Sequence, residues 1–192
     1  MSDILKNIFY VLGFATLTAI GAAIKLPFFP YHPFTAQVIF VLMSGAVLGS
    51  FRGPLSQVVF LTLGLLGVPL FNELAPSFPV PALGASPGFM RTVLKAGWLE
   101  GFVAASYVTG ITIEYARKKD FWTIFTAVTG GLLTLYILGL SFPVLIYRIP
   151  SGESFVGWAW PFLLMDFVKS MLVVFFLVNL YKIKKLMPTN LL

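Results

Sequence analysis

Long apolar runs alternate along the chain with short polar or proline-rich breaks. The runs have roughly the 20-residue length that a helix needs to cross a bilayer. The pattern predicts six spans: Ile4 to Ile24, Phe34 to Phe51, Leu55 to Phe71, Val93 to Tyr115, Trp122 to Tyr147 and Trp158 to Tyr181. The breaks have physical causes. Lys25-Leu-Pro-Phe-Phe-Pro-Tyr-His-Pro33 carries three prolines, which cannot continue a helix. Arg52-Gly-Pro54 is a tight connection, and Asn72 to Gly88 is a longer irregular segment with Pro76, Pro79, Pro81 and Pro87. Arg117-Lys-Lys-Asp120 is a charged turn, and Arg148 to Val156 a polar loop. In hydrocarbon every backbone group must find its partner within the segment, so the runs are expected to be helices. The expected fold is an all-α integral membrane protein, one transmembrane domain over residues 1–192 built as a six-helix bundle.

Charge orients this bundle. Six spans put both termini on one side, with Lys6, Arg52, Arg117, Lys118, Lys119, Lys182, Lys184 and Lys185; Lys25, Arg91, Lys95 and Arg148 fall on the other. The excess of basic residues makes the first side cytoplasmic. The two proline-rich connections then lie outside, with Phe28, Phe29, Tyr31, Phe78 and Phe89. They read either as a lid over the bundle or as ordinary connections whose aromatics anchor at the headgroups.

Composition agrees: 58% of residues are hydrophobic and only 10% are charged. Mean hydropathy is +0.93. A net charge of +6 would suggest nucleic acid in a soluble protein. Here the basic residues sit at membrane edges, and no nucleic-acid partner is expected. The absence of cysteine excludes disulfides, a thiolate zinc site and a cysteine nucleophile. No phosphate-binding GxxxxGK[ST] string occurs, so ATP hydrolysis is not encoded in this sequence. The first apolar run reads as a span rather than a cleaved signal, and no internal repeat is visible.

The chemistry-bearing positions are few. Asp166 and Lys169 lie inside the last span, three residues apart and so on one helix face. An ionisable group at that depth costs about 3 kcal/mol or more, and such groups commonly line ligand or ion sites. The alternative is a self-neutralised pair that ties helices together. Asn72, at the outer end of the third span, and Arg91, near the outer start of the fourth, would add an amide and a second cation; a turn residue and a solvated charge are the bland readings. Thr35 and Gln37, at the start of the second span, offer further polar contacts. This set suits a small ligand with N–H groups at one end and a carboxylate at the other. His32 is the single histidine and forms no metal cluster, no GxSxG is present, and Glu100 within the fourth span stays unassigned. No metal or cofactor is expected. Ala15, Ala19 and Ala23, at spacing four in the first span, form a smooth stripe for close helix approach, either within the bundle or to a separate protein.

Several strings resemble one family. Pro33-Phe-Thr-Ala-Gln37 runs into VIFVLMSGAVLG, followed by Arg52-Gly-Pro-Leu-Ser-Gln57 and LTLGLLGVPLF ending at Phe71; Pro161-Phe-Leu-Leu-Met-Asp166-Phe-Val-Lys169 comes last. Together with span order and the proline-rich first loop, these are similar to the BioY family, the biotin-binding S components of energy-coupling factor (ECF) transporters. The sequence departs from the family at the glycine-rich string that leads directly into its fourth span: Gly84 to Phe89 fits the loop and Ala96 to Phe102 the helix start, with a turn or two of extra chain between them around Arg91. The resemblance implies a vitamin-capture subunit of a prokaryotic cell membrane, not an enzyme. It would work with a transmembrane coupling protein and two cytoplasmic ATPases. It also implies that Asp166, Lys169, Asn72 and Arg91 bind ligand, and that Ala15, Ala19 and Ala23 dock the partner. Under this reading Asp166 and Asn72 would hold the ureido group of biotin, with Lys169 and Arg91 as candidates to neutralise its carboxylate or Asp166. Another carboxylate-bearing vitamin such as lipoate, an integral membrane enzyme using Asp166, and a purely structural membrane subunit are the alternatives.

Overall fold

The computed structural model describes residues 3–26, 34–65, 87–145, 148 and 151–186. Its helices are α1 (Asp3–Ala23), α2 (Gln37–Leu65), α3 (Pro87–Tyr115), α4 (Phe121–Leu145), a short α5 (Ser151–Ser154) and α6 (Trp160–Leu186). By length and composition, four described stretches could cross a membrane: Asp3–Ala23, Gln37–Leu63, Phe121–Ser141 and Phe162–Ile183. Their apolar side chains point both inward and outward. Phe9, Phe51, Trp122, Leu164 and Phe175 are exposed, whereas Val41, Leu42, Phe60, Ile124 and Leu177 are fully buried. A helix with apolar residues all round is what a hydrocarbon solvent selects.

Helix α2 is two antiparallel arms. Gly49 has φ 89° and ψ −178°, a backbone conformation reserved for glycine. In a straight helix Gln57 and Ser44 would be about 20 Å apart, yet the Gln57 amide donates to the Ser44 hydroxyl at 3.0 Å. The stretches expected as the second and third spans, as far as residue 65, therefore form this helical hairpin, and the reversal falls at Gly49 rather than at Arg52-Gly-Pro. Pro54 stands near the start of the second arm, where a missing N–H costs little. The break also separates a hydrogen-bonding pair, since the Ser50 N–H and the Ala46 carbonyl would meet in a continuous helix. Instead Glu114 Oε1 accepts from Ser50 N at 2.9 Å, and the Tyr181 hydroxyl donates to Ala46 O at 2.8 Å. The backbone groups freed by the break thus find side-chain partners from α3 and α6.

Glycines set the closest helix approach. A side chain on Gly45 would strike the Ser106 backbone, one on Gly53 would lie 2.7 Å from the Gly45 Cα, and one on Gly110 would lie 2.7 Å from Gly49 and Ser50. Gly45 on the first arm and Gly53 on the second face each other and Ser106, with Gly49 at the reversal against Gly110, so glycines on both arms let α2 close on itself and on α3. Between them lies a buried polar knot. The Gln57 amide reaches Thr18, Ser44 and Ser56, and Ser44 meets Ser106 at 2.8 Å.

The ends of the helices sort by charge. Arg52 donates to Asn7 at 2.7 Å, and the Lys119 ammonium sits 5.0 Å from the centre of the Tyr181 ring. The start of α1, the Gly49 reversal, the α3–α4 connection and the last turns of α6 thus share one end of the bundle, which carries the described basic groups predicted to lie together. Asp120 caps α4 there, accepting the Thr123 N–H at 3.0 Å, and that bond holds its carboxyl below the usual range.

Three boundaries depart from expectation. Phe34 and Thr35 are extended and pair with Lys25 and Leu26 in a two-residue antiparallel ladder, so α2 begins only at Gln37 and the fold is not purely helical. Helix α3 begins at Pro87, six residues before the expected Val93, because proline suits the first turn. The expected loop from Arg148 to Val156 is helical from Ser151 and passes through a π-helical turn, Phe155–Ala159, into α6. Pro161 lacks an N–H and crowds the carbonyl four residues back, which favours that widened turn. The proposed lid residues Phe28, Phe29, Tyr31 and Phe78 lie outside the described residues.

Candidate functional site

Asp166 and Lys169 both point into the bundle, at 5% and 4% exposure. Lys169 Nζ donates to Asp166 Oδ1 at 2.6 Å, and the Tyr136 hydroxyl donates to Asp166 Oδ2 at 2.7 Å. One charge-assisted bond lands on each carboxylate oxygen, and each oxygen keeps a second acceptor position. Sequence spacing placed the acid and the amine on one face correctly. It missed Tyr136, which comes from α4. A signal for it existed: Tyr136 lies fifteen residues above Phe121 and Asp166 fifteen residues before Tyr181, about 22 Å from the basic end in both cases. Two polar groups at equal depth in an apolar bundle are natural partners.

Packing behind the phenol is specific. The Trp98 and Tyr136 rings meet edge to face, with centroids 5.2 Å apart and planes at 83°. Trp98 in turn lies against Gly139, where any side chain would come within 2.6 Å of the indole.

The other expected residues fall in different places. Thr35 is buried in the two-residue ladder, and Gln37 opens α2 at 2% exposure. Among the described residues, Gln37 Nε2 is a buried donor without a partner. The backbone of Arg91 lies in the first turns of α3, while its side chain and the whole of Asn72 lie outside the described residues. Glu100 is exposed. It borders an outward-facing cleft of about 430 Å³ with Pro54, Leu61, Val103, Ala104 and Tyr107, a lining that does not include Asp166. The alanine stripe divides: Ala15 is inside the chain's own core, Ala19 is partly buried against it, and Ala23 is exposed. Ala15 therefore serves packing within the bundle, and only the Ala19–Ala23 end is open to another protein.

An apolar helical bundle with a buried acid, amine and phenol in one hydrogen-bonded group defines a multi-pass membrane protein with a polar centre deep in its interior. The comparisons narrow the class. The BioY family matches residues 1–186, and the chain belongs to that family. A "Biotin transporter BioY" of Thermotoga maritima is 34% identical over 176 residues, 90% of this chain and 92% of the relative. A "Probable biotin transporter BioY" of Lysinibacillus sphaericus is 34% identical over 131 residues, 67% of this chain but 60% of the longer relative. In fold, the chain matches a crystal structure of the S-component for biotin from an ECF-type ABC transporter, with a TM-score of 0.71, 19% identity and 95% coverage of each chain.

Proposed function

We propose that this chain is the biotin-capturing S component of an ECF-type vitamin transporter. It would be a six-span protein of a prokaryotic cell membrane with both termini cytoplasmic. The observation that carries the reading is the buried Asp166, held by Lys169 and Tyr136 with acceptor capacity to spare, in a chain whose family and relatives are biotin transporters. A ureido N–H is a donor of the right kind for that carboxylate. Asn72, Arg91, Thr35 and Gln37 are proposed to complete the ligand's polar contacts; the unpartnered Gln37 donor supports its inclusion. Uptake would be driven by a transmembrane coupling protein with two cytoplasmic ATPases, docking in part against Ala19 and Ala23.

The test is titration calorimetry on the detergent-purified chain. Biotin should bind, lipoate should bind far more weakly because it has no ureido donor, and Asp166→Asn should weaken biotin at least about tenfold, the scale of one hydrogen bond to a charged group. Equal affinity for both vitamins, or an unchanged affinity in Asp166→Asn, overturns the assignment.

A further inference from the structure

The polar centre contains one group that sequence reasoning did not reach, and its surroundings make it more than a filler. Tyr136 is 6% exposed and spends its only O–H on Asp166 Oδ2. Its ring is fixed by the Trp98 edge-to-face contact, and Trp98 by the slot that Gly139 leaves open. Three residues on two helices thus aim one donor at the carboxylate oxygen that Lys169 does not occupy. Without that donor the carboxylate could turn about its last torsion, and both oxygens would compete for the ammonium. With it, one oxygen is committed to each partner and the open acceptor positions face fixed directions.

We propose that Tyr136, braced by Trp98 over Gly139, is a positioning residue that orients Asp166 to receive the N–H group of the ligand. This rests on the biotin reading above and adds a specificity element to the same site. A donor pre-set on Oδ2 discriminates between ligands by direction: an N–H aligned with the remaining lone pair is accepted, and one offset from it finds the carboxylate already held. Preorganisation of this kind raises affinity by removing the cost of ordering the group on binding.

The experiment is a double-mutant cycle by calorimetry with biotin as the probe, titrated to millimolar concentration, on parent, Tyr136→Phe, Asp166→Asn and the double variant. Tyr136→Phe keeps the ring on Trp98 and removes only the hydroxyl. It is expected to weaken biotin about tenfold, the scale of one hydrogen bond to a charged group, and to add no further loss in the Asp166→Asn background. Gly139→Ala, which displaces the indole without touching the carboxylate, should reproduce several-fold of that loss. Each variant is first shown to elute as the parent does on size exclusion. Losses that simply add in the double variant assign Tyr136 to general packing and overturn the proposal, as does an unchanged Tyr136→Phe in a parent that binds. A folded parent that binds no biotin overturns the functional reading, and this inference with it.

Discussion

Lys169 and Asp166 close their 2.6 Å ion pair within one turn of α6, with side-chain exposures of only 5% and 7%. A pair so placed serves two masters. It neutralises itself inside an apolar bundle, and under the proposed biotin reading it would also hold a carboxylate ready for a guest. The two roles separate on mutation.

Replacing Lys169 by Ala leaves a buried carboxylate without its cation and should destabilise the fold by about 3–5 kcal/mol. Replacing both residues by Leu removes both charges and should recover most of that loss, because desolvation of the pair offsets much of its attraction. Biotin binding should be lost in the single variant and remain absent in the double variant. Thermal unfolding in detergent together with calorimetry checks both halves. Binding retained in the double-leucine protein would reduce the pair to a structural strut.

Gln37 makes a prediction with two opposite signs. Its buried, unpartnered Nε2 costs about 1–3 kcal/mol of desolvation in the unliganded fold. Gln37→Leu should therefore raise the unfolding temperature of the empty protein while weakening biotin. A stabilised variant with parental affinity would take Gln37 out of the site.

Gly49 and Gly13 form a matched pair. Alanine at Gly49 must adopt φ near 89° and would collide with the Glu114 carboxylate that holds Ser50. The expected cost is about 1–3 kcal/mol, the scale of a residue forced into a sparsely populated backbone region. Gly13 lies mid-helix, where an added Cβ would meet nothing within 4 Å, and Gly13→Ala should stabilise by about 0.5–1 kcal/mol. An unfolding midpoint that does not fall in Gly49→Ala would contradict the geometry at Gly49, and one that falls in Gly13→Ala would contradict the open space at Gly13.

Gln57→Leu takes a common donor from the buried hydroxyls of Thr18, Ser44 and Ser56, but it also removes the buried Gln57 Oε1, which has no partner among the described residues. The net cost should therefore be about 1 kcal/mol, the low end for a lost buried hydrogen-bond partner. Biotin affinity should hold, because this knot joins α1, α2 and α3 and contains none of the ligand candidates. Unfolding and titration on the same preparation check the two statements.

Periodicity and charge made much of this molecule legible. Apolar runs of spanning length marked the helices to within a few residues for α1 and α4, and lysine and arginine positions grouped the ends that the structure brings together. Asp166 and Lys169 were readable because charges in such a run are costly. What the sequence does not display depends on contacts between helices. The reversal at Gly49 needs a backbone angle that no residue pattern states, and the facing of Gly45 and Gly53 follows from that reversal. Tyr136 was hidden because a tyrosine in a span looks like an interfacial aromatic until its depth is compared with that of a charge on another helix.

The folded-back α2 also bears on how such a chain enters a bilayer. Its first arm, Gln37 to Leu48, measures about 18 Å as a helix, well short of the roughly 30 Å hydrocarbon core. Neither Ser44 nor Gln57 would be at ease in lipid by itself, and the Gln57 amide N–H finds the Ser44 hydroxyl only once the arms close. The two arms therefore make sense as a single insertion unit, committed to the membrane together rather than threaded one after the other.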